Sequence, residues 1–434
     1  MQTPSPAATI ALHEDPGVIR LLDCEEPDLY FVTAPSNDPH NAGTPAPKTP
    51  ARVTRPSSST LDSAGSMLKP PSTAFTLHYL NQGAANVVFN IVPASIDSSG
   101  ATFMSVTQVV RAKSGITARI VPPHKAVLGK VLRVPRGRAR TLSGDRIVSE
   151  FHKIIKPMFQ SGKSVTRPVA PLADFTKHLM DHQGVLLFPS VVARLRSLAD
   201  HDVFAEQVDH PQTCWGVLLE DMSPVRGSSI VMELKPKWLL QSPNAPPRAK
   251  RCRTCATQIN APKKRATYLC PLRLINTNAD GLRPWLHTIL ADLSHQIPKP
   301  HQSSPDFARR IVEHVVVDFT SGEVHALLQH LRMLQAKLDP SGVLAQLPLS
   351  PDKAAANFDL RAAMTLRDCS LFIKVEYDNA TGTPSAITSK LGDLDFKSAE
   401  KTADWADKEL RLLRDGLYTR ELRDDFGCWL SRVG

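Results

Sequence analysis

An acid and two lysines alternate where an apolar stretch ends, in "SSIVMELKPKW". Side chains two residues apart on a strand point to the same face, so Glu233, Lys235 and Lys237 are predicted to project together. Neighbouring lysines repel each other unless an anion lies between them, and phosphate groups suit that position. The alternative is a strand that runs out into solvent with hydrated lysines. In either case Pro236 is predicted to end the strand.

Two aspartate motifs follow further along the chain. "MTLRDCSLFIKV" places Asp368 just before an apolar strand, and "LGDLDFKSAEK" places Asp393 and Asp395 ahead of Lys397 and Lys401. In phosphoryl transfer one carboxylate takes the proton of the attacking hydroxyl, while others hold Mg²⁺ against the nucleotide. Taken singly, each aspartate is more often a turn or capping residue. The two motifs together favour phosphoryl transfer.

A small-residue turn, "NQGAANVVF", separates two strand-like runs. Small residues allow backbone N–H groups to approach phosphate oxygens, although a plain hairpin turn is the commoner interpretation of such a stretch. Downstream, "KVLRV" places Arg133 in the middle of an apolar strand, where the charge needs an anionic partner or a route to the surface. ATP phosphates and a half-exposed strand position are both compatible with Arg133.

Cys252 and Cys255 have the spacing of a zinc-ligand pair, and Cys270 follows them. The remaining ligand would have to be something more distant or one of three nearer residues: Cys214, His210 or His287. The sequence therefore leaves zinc possible, but it favours free thiols in a basic loop.

The balance of charge indicates an anionic partner. The chain carries 52 basic and 42 acidic residues, a net charge of +10, which is compatible with nucleic acid, a membrane surface or a phosphorylated small molecule. The basic, proline-rich insertion at residues 242–267 lacks the interleaved aromatic residues that base stacking requires. A phosphate-rich small ligand or a solvated loop is therefore the better interpretation of the insertion, and nucleic acid is disfavoured.

Targeting signals and cysteine usage indicate the compartment. No apolar run approaches the ~20 residues that cross a bilayer, and the N-terminal sequence lacks the pattern of a signal peptide. Seven scattered cysteines suit a reducing compartment better than a disulfide framework. We expect a soluble, intracellular protein.

The elements that would position these residues follow a recognisable order. Strands are predicted at "FTLHYL", "NVVFNIV" and "KAVLGKVLRV", and helices at "DRIVSEFHKIIKPMF" and "VVARLRSLADH". "WGVLLEDMS" and "SSIVMELKPKW" are interpreted as two buried strands joined by a short turn. This order is typical of the nucleotide-binding lobe of kinase-like folds.

The second half of the chain alternates predicted helices with two short strands. The helices are "RPWLHTILADLSHQI", "FARRIVEHVVVDF", "EVHALLQHLRMLQAKL" and "DWADKELRLLRDGLYTREL", and the strands are "CSLFIKVEY" and "SKLGDLDFKS". Residues 1–72 are predicted to be a largely disordered extension, because most of this segment is rich in Pro, Ser and Thr. Within it, "VIRLLDCEEPDLYFVTA" could pack back onto the fold as a strand or stay mobile. We expect a nucleotide-binding lobe at residues 73–222 and a second, catalytic lobe at residues 223–434.

Taken together, these stretches resemble the inositol-pentakisphosphate 2-kinases, which phosphorylate the 2-hydroxyl of inositol pentakisphosphate to give inositol hexakisphosphate. The resemblance is carried by "GAANVV", "KVLRV", "LLEDM", "ELKPK" as the E-x-K-P-K box, "CPL", "RDCSLF" and "DLDFKSAEK". Their order and spacing agree with the family from about residue 75 to residue 405. The "KPKWL", "RCRTC" and "KSAEK" stretches are most similar to the fungal branch.

The resemblance implies an α+β, two-lobed kinase-like fold of the inositol polyphosphate kinase type, with ATP and Mg²⁺. It places nine residues around ATP. The glycine-loop equivalent would be Gly83, Ala84, Ala85 and Asn86, and the strand behind it would carry Arg133. The inter-lobe hinge would consist of Leu219, Glu220, Asp221 and Met222. Asp368 would be the base on the 2-hydroxyl and share in metal binding, and Asp393 would be a Mg²⁺ ligand. Lys235 would meet the transferred phosphoryl group. The substrate phosphates would be held by six residues: Glu233, Lys235, Lys237, Lys397, Lys401 and Trp405.

This chain departs from the family pattern at three positions. Many relatives have Arg and Tyr where Lys401 and Trp405 stand, and "CPLDL" is here "CPLRL", with Arg273 reversing the charge. Plant relatives carry a zinc site elsewhere in the chain, which does not transfer to Cys252 and Cys255.

Two other functions compete with the kinase. A non-catalytic inositol phosphate-binding module in the nucleus would have no need of metal-holding acids such as Asp368 and Asp393. A nucleic-acid binder would bind in a salt-sensitive way that inositol hexakisphosphate does not affect. We expect a monomeric kinase, located in the nucleus and with a cytoplasmic pool as the alternative.

Overall fold

A computed structural model describes residues 18–22, 28–33, 75–83, 85–93, 101–112, 115–121, 127, 129–136, 140–161, 173–187, 195, 214–259, 267–346, 357–420 and 428–430. These residues form an α+β structure with two antiparallel sheets, as the sequence predicts. Among them, no helix combines the length and apolar character needed to cross a membrane.

The larger sheet has nine strands in the order β2-β1-β8-β9-β7-β4-β3-β5-β6. β2 also pairs with β5, so the strands from β2 to β5 form a closed ring and β6 lies outside it. Its strands are β1 Val18–Leu22, β2 Asp28–Thr33, β3 Phe75–Gln82, β4 Asn86–Pro93, β5 Ala101–Ala112, β6 Gly115–Val121, β7 Lys130–Pro135, β8 Gln183–Leu187 and β9 Cys214–Glu220. The four middle residues of β7 are buried, which is why "VLRV" has no polar alternation around Arg133.

The smaller sheet has three strands in the order β10-β11-β12. They are β10 Ser229–Leu234, β11 Ser370–Tyr377 and β12 Pro384–Gly392. β10 and β12 run antiparallel to β11 on either side of it, so the ends of β10 and β12 lie beside the start of β11.

The described part of the chain contains nine α-helices, and the first of them packs against β8 and β9 of the larger sheet. They are α1 Gly144–Glu150, α2 Arg253–Gln258, α3 Pro271–Leu274, α4 Leu282–Asp292, α5 Lys299–Gln302, α6 Pro305–Ser321, α7 Glu323–Leu338, α8 Phe358–Leu366 and α9 Thr402–Arg414. Single turns of other helix types occur at Phe151–Ile155, Lys156–Phe159, Thr176–His178, Ala279–Gly281, Ser294–Gln296, Val343–Gln346 and Ala399–Lys401. The main core forms where α4, α6 and α7 pack against β10 and β11.

Local sequence explains the longest helix, α6. The Ser304 side chain accepts a hydrogen bond from the N–H of Phe307, which caps the first turn, and Pro305 occupies a position where no N–H is needed. Phe307, Ile311 and Val315 recur at helical spacing and are buried in the main core. The apolar stripe predicted from "FARRIVEHVVVDF" is therefore the face that supports the smaller sheet.

Most predicted elements are confirmed, and one interpretation is wrong. "WGVLLEDMS" and "SSIVMELKPKW" form two buried, consecutive strands as predicted, although β9 belongs to the larger sheet and β10 to the smaller one. The described part of the basic insertion is not a solvated loop, because Arg251 and Arg253 are buried. The predicted helix "VVARLRSLADH" lies outside the described residues except for Leu195. Most of residues 1–72 also lies outside them. The described part of "VIRLLDCEEPDLYFVTA" forms β1 and β2, in agreement with the strand alternative.

Candidate functional site

Three strand ends bring distant parts of the sequence to one place. Leu234, the last residue of β10, lies opposite Leu371 of β11, and Ser370 at the start of β11 lies opposite Gly392 at the end of β12. The residues just beyond these positions are therefore neighbours in space. They are the lysines of "ELKPK", Asp368 of "RDCS" and Asp393 of "DLDFK".

Asp368 lies between two lysines. The Lys237 ammonium group is 2.9 Å from Oδ1 of Asp368, and the Lys397 ammonium group is 2.8 Å from Oδ2. Burial alone would raise the pKa of Asp368, but the charges of Lys397 and Lys237 outweigh it and hold the pKa well below its usual range. Asp368 is therefore an ionised carboxylate at neutral pH, and its side chain is 49% exposed.

Asp393 is the second carboxylate of the cluster. The Lys235 ammonium group lies 2.8 Å from Oδ2 of Asp393, and the Ser370 hydroxyl lies 3.1 Å from the same oxygen and 2.7 Å from Oε1 of Glu233. Burial acts to lower the pKa of Lys235, but the charge and hydrogen bond of Asp393 outweigh it, so the pKa is raised and the lysine stays charged. Sequence reasoning had missed Ser370, whose hydroxyl joins Glu233 to this carboxylate.

The predicted common face of "ELKPK" is confirmed. Glu233 and Lys235 are exposed and Lys237 is half-buried, whereas Leu234 and Pro236 between them are buried. Exposed and buried side chains continue to alternate after Leu234, where the paired strand ends. The end of the strand just before Pro236 agrees with the prediction that this proline ends it. Lys237 has a backbone φ of +55°, and Asp393 across the site has a φ of +53°. Because non-glycine residues seldom adopt this conformation, the backbone at both positions is strained.

Asp395 connects this cluster to the larger sheet. It forms an ion pair with Arg133 of β7 and accepts a hydrogen bond of 3.3 Å from the Asn86 side chain at the start of β4. Arg133 is only 3% exposed, so the interpretation as a half-exposed strand residue is wrong. Its guanidinium group also lies 3.7 Å from Asp393. Burial would raise the pKa of Asp395, but the charge of Arg133, the interaction with His182 and the charge of Lys397 together outweigh it and lower the pKa.

A cavity of about 610 Å³ opens between the two sheets beside the cluster, within the size range of small-molecule sites. The apolar part of its lining comes from both sheets: Val88, Val131, Leu219, Met222, Val231 and Phe372. The polar part includes residues of the charged cluster: Arg133, Glu233 and Asp393. The cavity thus offers an apolar slot with charged groups at one end.

The predicted hinge residues Leu219, Glu220, Asp221 and Met222 all line this cavity. Leu219 and Met222 are buried walls, and Glu220 forms an ion pair of 2.7 Å with Lys390 of β12. The N–H of Asp221 donates a 2.8 Å hydrogen bond to the carbonyl of Gly129. Contacts with Lys390 and Gly129 therefore hold the segment predicted to be the hinge.

The small-residue turn lies between β3 and β4. The N–H of Gly83 donates a hydrogen bond of 2.8 Å to the carbonyl of Asn86. Arg136 makes two further contacts with the turn. Its backbone N–H donates to the carbonyl of Ala85 at 2.8 Å, and its guanidinium group donates to the carbonyl of Gly83 at 3.0 Å. Ala84 lies outside the described residues. Since Asn86 reaches Asp395, the turn is tied to the charged cluster.

Lys401 and Trp405 differ in their placement. Lys401 is half-buried, and burial together with the charge of Lys397 lowers its pKa. Trp405 is 7% exposed and packs with Trp238, Leu360 and Met364. The geometry therefore makes Trp405 a packing residue below the site and gives no support for a contact with substrate.

Trp238, which directly follows Lys237, is a residue that sequence reasoning missed. Two guanidinium groups lie over its ring, with Arg367 3.5 Å and Arg253 4.4 Å from the ring centre. Arg367 is fixed by an ion pair of 2.5 Å with Asp339. The cation–π contacts hold the backbone that carries Lys237.

The carboxylates supply donors that suit Mg²⁺. This ion prefers oxygen ligands and is commonly held by one or two carboxylates together with phosphate oxygens of a substrate. Asp368 and Asp393 are each about half-exposed, at 49% and 47% of the side chain, and Lys235 donates to the carboxylate of Asp393 and to the backbone carbonyl of Asp368. The ligand chemistry of the two carboxylates therefore fits the ion.

The structure is an α+β protein with an apolar slot beside carboxylates and convergent lysines, a combination that is chemically suited to phosphate groups. The sequence model of the family described as inositol-pentakisphosphate 2-kinase matches residues 79–411 of this chain. The chain belongs to that family.

One curated relative is the inositol-pentakisphosphate 2-kinase of Yarrowia lipolytica (strain CLIB 122 / E 150). It is 32% identical to this chain over 198 residues, which is 44% of the chain and 55% of the relative. The match therefore spans little more than half of the length of that relative.

Proposed function

We propose that this chain transfers the γ-phosphoryl group of ATP to the 2-hydroxyl of inositol 1,3,4,5,6-pentakisphosphate, giving inositol hexakisphosphate and ADP. The observation that carries the proposal is the arrangement of Asp368 between Lys237 and Lys397, beside a cavity lined by the hinge residues. The family to which the chain belongs supports the substrate. In this proposal the larger sheet is the nucleotide lobe of a two-lobed, kinase-like fold.

ATP occupies the cavity between the sheets in this proposal. Leu219 and Met222 enclose adenine, and the phosphates point toward Arg133 and the turn at Gly83. Asp393 and Asp368 would hold Mg²⁺, which when bound neutralises charge on the β- and γ-phosphates. Lys235 contacts Asp393 at 2.8 Å and is therefore close enough to the metal position to meet the transferred phosphoryl group.

The inositol phosphate binds on the lysine side of Asp368. Lys237, Lys397 and Lys401 offer three ammonium groups to a ring that carries five phosphates, which is the charge complementarity such a ligand requires. Binding draws Lys237 and Lys397 from the carboxylate toward phosphate groups. Asp368 is then the acceptor closest to the remaining hydroxyl.

The chemical step follows from these positions. The 2-hydroxyl oxygen forms a bond to the γ-phosphorus as the bond to the bridging oxygen of ADP breaks, and the hydroxyl proton passes to Asp368. A carboxylate with a low pKa suffices as acceptor, because in a loose transition state the hydroxyl becomes acidic only as the new bond forms. Lys235 stabilises the negative charge of the phosphoryl oxygens throughout.

Substitution of the base tests the proposal. Asp368→Asn should lower kcat by at least about 10²-fold while ATP and inositol pentakisphosphate still bind, because the amide retains the shape but cannot accept the proton. The measurement is product formation by ³¹P NMR, with binding followed by calorimetry. Asp407→Asn, which changes an exposed carboxylate on α9, is the matched control and should leave kcat unchanged.

Two outcomes would contradict the proposal. A fully active Asp368→Asn enzyme would overturn the assignment of the base. A wild-type chain that binds inositol phosphates but forms no product with ATP and Mg²⁺ would instead identify a non-catalytic binding module.

A further inference from the structure

We infer that Gln335, a fully buried residue of α7, is a positioning residue for the proposed reaction. Its side-chain amide contacts three backbone groups, which belong to two motifs that are distant in the sequence. One motif carries Lys237 and the other leads to Asp368. The inference rests on the proposed function, in which Lys237 binds substrate phosphates and Asp368 accepts the proton.

The amide group of Gln335 bridges the two sides of Trp238. Its oxygen accepts a hydrogen bond of 3.0 Å from the N–H of Leu239, and its nitrogen donates one of 2.9 Å to the carbonyl of Lys237. These partners fix the orientation of the amide, because an N–H can only donate and a carbonyl can only accept. The side chain thus pairs with this segment as a neighbouring strand would.

The segment beyond β10 needs such a partner. β10 ends at Leu234, so the backbone of Lys237 and Leu239 lies outside the ladder that β10 forms with β11. A buried backbone group without a hydrogen bond is unfavourable, and Leu239 is fully buried. Lys237 also has a backbone φ of +55°, a conformation that the surrounding structure must impose. Gln335 supplies the missing partners and so helps to hold Lys237 in that conformation.

The same amide nitrogen also reaches α8. It lies 3.4 Å from the carbonyl of Leu366, the last residue of that helix. The N–H of Asp368 donates to the carbonyl of Thr365 at 3.0 Å, so the position of Asp368 follows the end of α8. One buried amide therefore connects the backbone of Lys237 to the helix end that positions Asp368. The side chains of Lys237 and Asp368 are the ones that form the 2.9 Å ion pair of the site.

Gln335 should act on ligands only through Lys237. It is fully buried and does not line the cavity of about 610 Å³, so it does not touch a nucleotide there. A lysine is a point charge on a flexible stem, and the reach of its ammonium group depends on where its backbone is held. Loss of the amide should therefore weaken inositol phosphate binding and slow phosphoryl transfer, while ATP binding is unaffected.

Gln335→Met tests the inference, because methionine has a similar volume but cannot form the three hydrogen bonds. At a temperature where circular dichroism shows the variant to be folded, kcat should fall by about 10-fold to 10²-fold, since small misplacements of reacting groups have effects of this size. Calorimetry should show a weaker affinity for inositol pentakisphosphate and an unchanged affinity for ATP. A role in stability alone would lower the melting temperature and leave both constants unchanged in the folded variant.

The matched control is Gln329→Met on the same helix. Gln329 donates a hydrogen bond of 2.9 Å to the carbonyl of Ile275, a residue that packs against the main core. Its substitution removes a hydrogen bond of the same kind at a distance from the lysine motif. We expect a lower melting temperature with unchanged kcat and unchanged affinity for inositol pentakisphosphate.

A double-mutant cycle with Lys237→Met separates positioning from general destabilisation. If Gln335 acts through Lys237, Gln335→Met should weaken inositol phosphate binding no further in a chain that already carries Lys237→Met. Additive losses of affinity would overturn the inference, and so would an unchanged affinity in folded Gln335→Met. If Gln335→Met does not fold, Gln335→Asn decides in the same cycle, because its shorter amide cannot reach both Lys237 and Leu239.

The binding measurements also separate this inference from the proposed function. A wild-type chain that binds inositol pentakisphosphate but forms no product would overturn the proposed function, and the cycle would still decide the role of Gln335. An active wild-type chain whose Gln335→Met and Gln329→Met variants behave alike would overturn the inference alone.

Discussion

At the scale of single residues, the surrounding structure fixes the charge environment and the backbone conformation of groups in the site. Asp368 is an ionised carboxylate between two ammonium groups, and Lys237 and Asp393 both have positive φ values. Such conformations persist only where the surrounding structure imposes them, and they are common at functional sites. Here Trp238 and its two arginines fix the backbone beside Lys237.

Lys401 leads to a prediction about pH. Burial and the charge of Lys397 lower its pKa, whereas a bound phosphate stabilises the protonated form. Affinity for inositol phosphates should therefore be greatest below this lowered pKa and should fall as the pH rises through it. Lys401→Arg should remove the decline, because a guanidinium group stays protonated.

Calorimetric titration with inositol hexakisphosphate across neutral and alkaline pH measures this effect. Lys337→Arg, at an exposed position of α7, should leave the decline as it is in the unmodified chain. An identical alkaline decline in Lys401→Arg would show that Lys401 does not contact the ligand.

At the scale of elements, sequence pattern predicted most strands and helices but could not predict which strands pair. "ELKPK", "RDCS" and "DLDFK" were recognised as motifs, yet their meeting depends on the antiparallel order β10-β11-β12. Nothing local in "SSIVMEL" indicates that β10 leaves β9 for another sheet. The same limit applies to the cysteines, since the sequence shows the pair Cys252 and Cys255 and only tertiary structure brings Cys428 beside it.

Helix α9 distinguishes packing from ligand binding. Trp405 lies in a buried cluster with Trp238 and Leu360, so Trp405→Ala should lower the free energy of unfolding by about 3–5 kcal/mol. Trp405→Phe keeps an apolar ring and should cost less, with an unchanged KM for the inositol phosphate. Urea unfolding and steady-state kinetics measure the two effects.

The matched control on the same helix is Leu410→Ala, because Leu410 is exposed and its loss should change stability little. A raised KM in Trp405→Phe without loss of stability would restore the expectation from the sequence that this residue contacts substrate.

At the scale of the whole molecule, the buried pair of Arg133 and Asp395 joins the two sheets. Arg133→Met should lower the free energy of unfolding by about 3–5 kcal/mol, because it leaves a buried carboxylate without its partner. Asp395→Asn in the same chain should recover part of this loss. A double-mutant cycle by urea unfolding measures the coupling, and the exposed pair Arg283–Glu313 should give only about 0–1 kcal/mol.

The coupling should also depend on pH. The pKa of Asp395 in the fold is lowered, so its stabilisation is fully present above the unfolded pKa of about 3.9 and is lost as the pH falls toward the folded value. A cycle that gave the same coupling at neutral pH and well below the unfolded pKa of Asp395 would contradict the assigned ion pair.

The pairing of lysines with aspartates has a consequence for how ligands bind. Because Lys235, Lys237 and Lys397 already contact Asp393 or Asp368, they hold few salt ions that a ligand could displace. Added salt should therefore weaken binding less than the net charge of +10 suggests. A cation on the aspartates releases the lysines, and a polyphosphate on the lysines releases the aspartates. Binding of either ligand thus breaks the ion pairs that compete with the other ligand. By thermodynamic linkage, each ligand should raise the affinity for the other by the same factor.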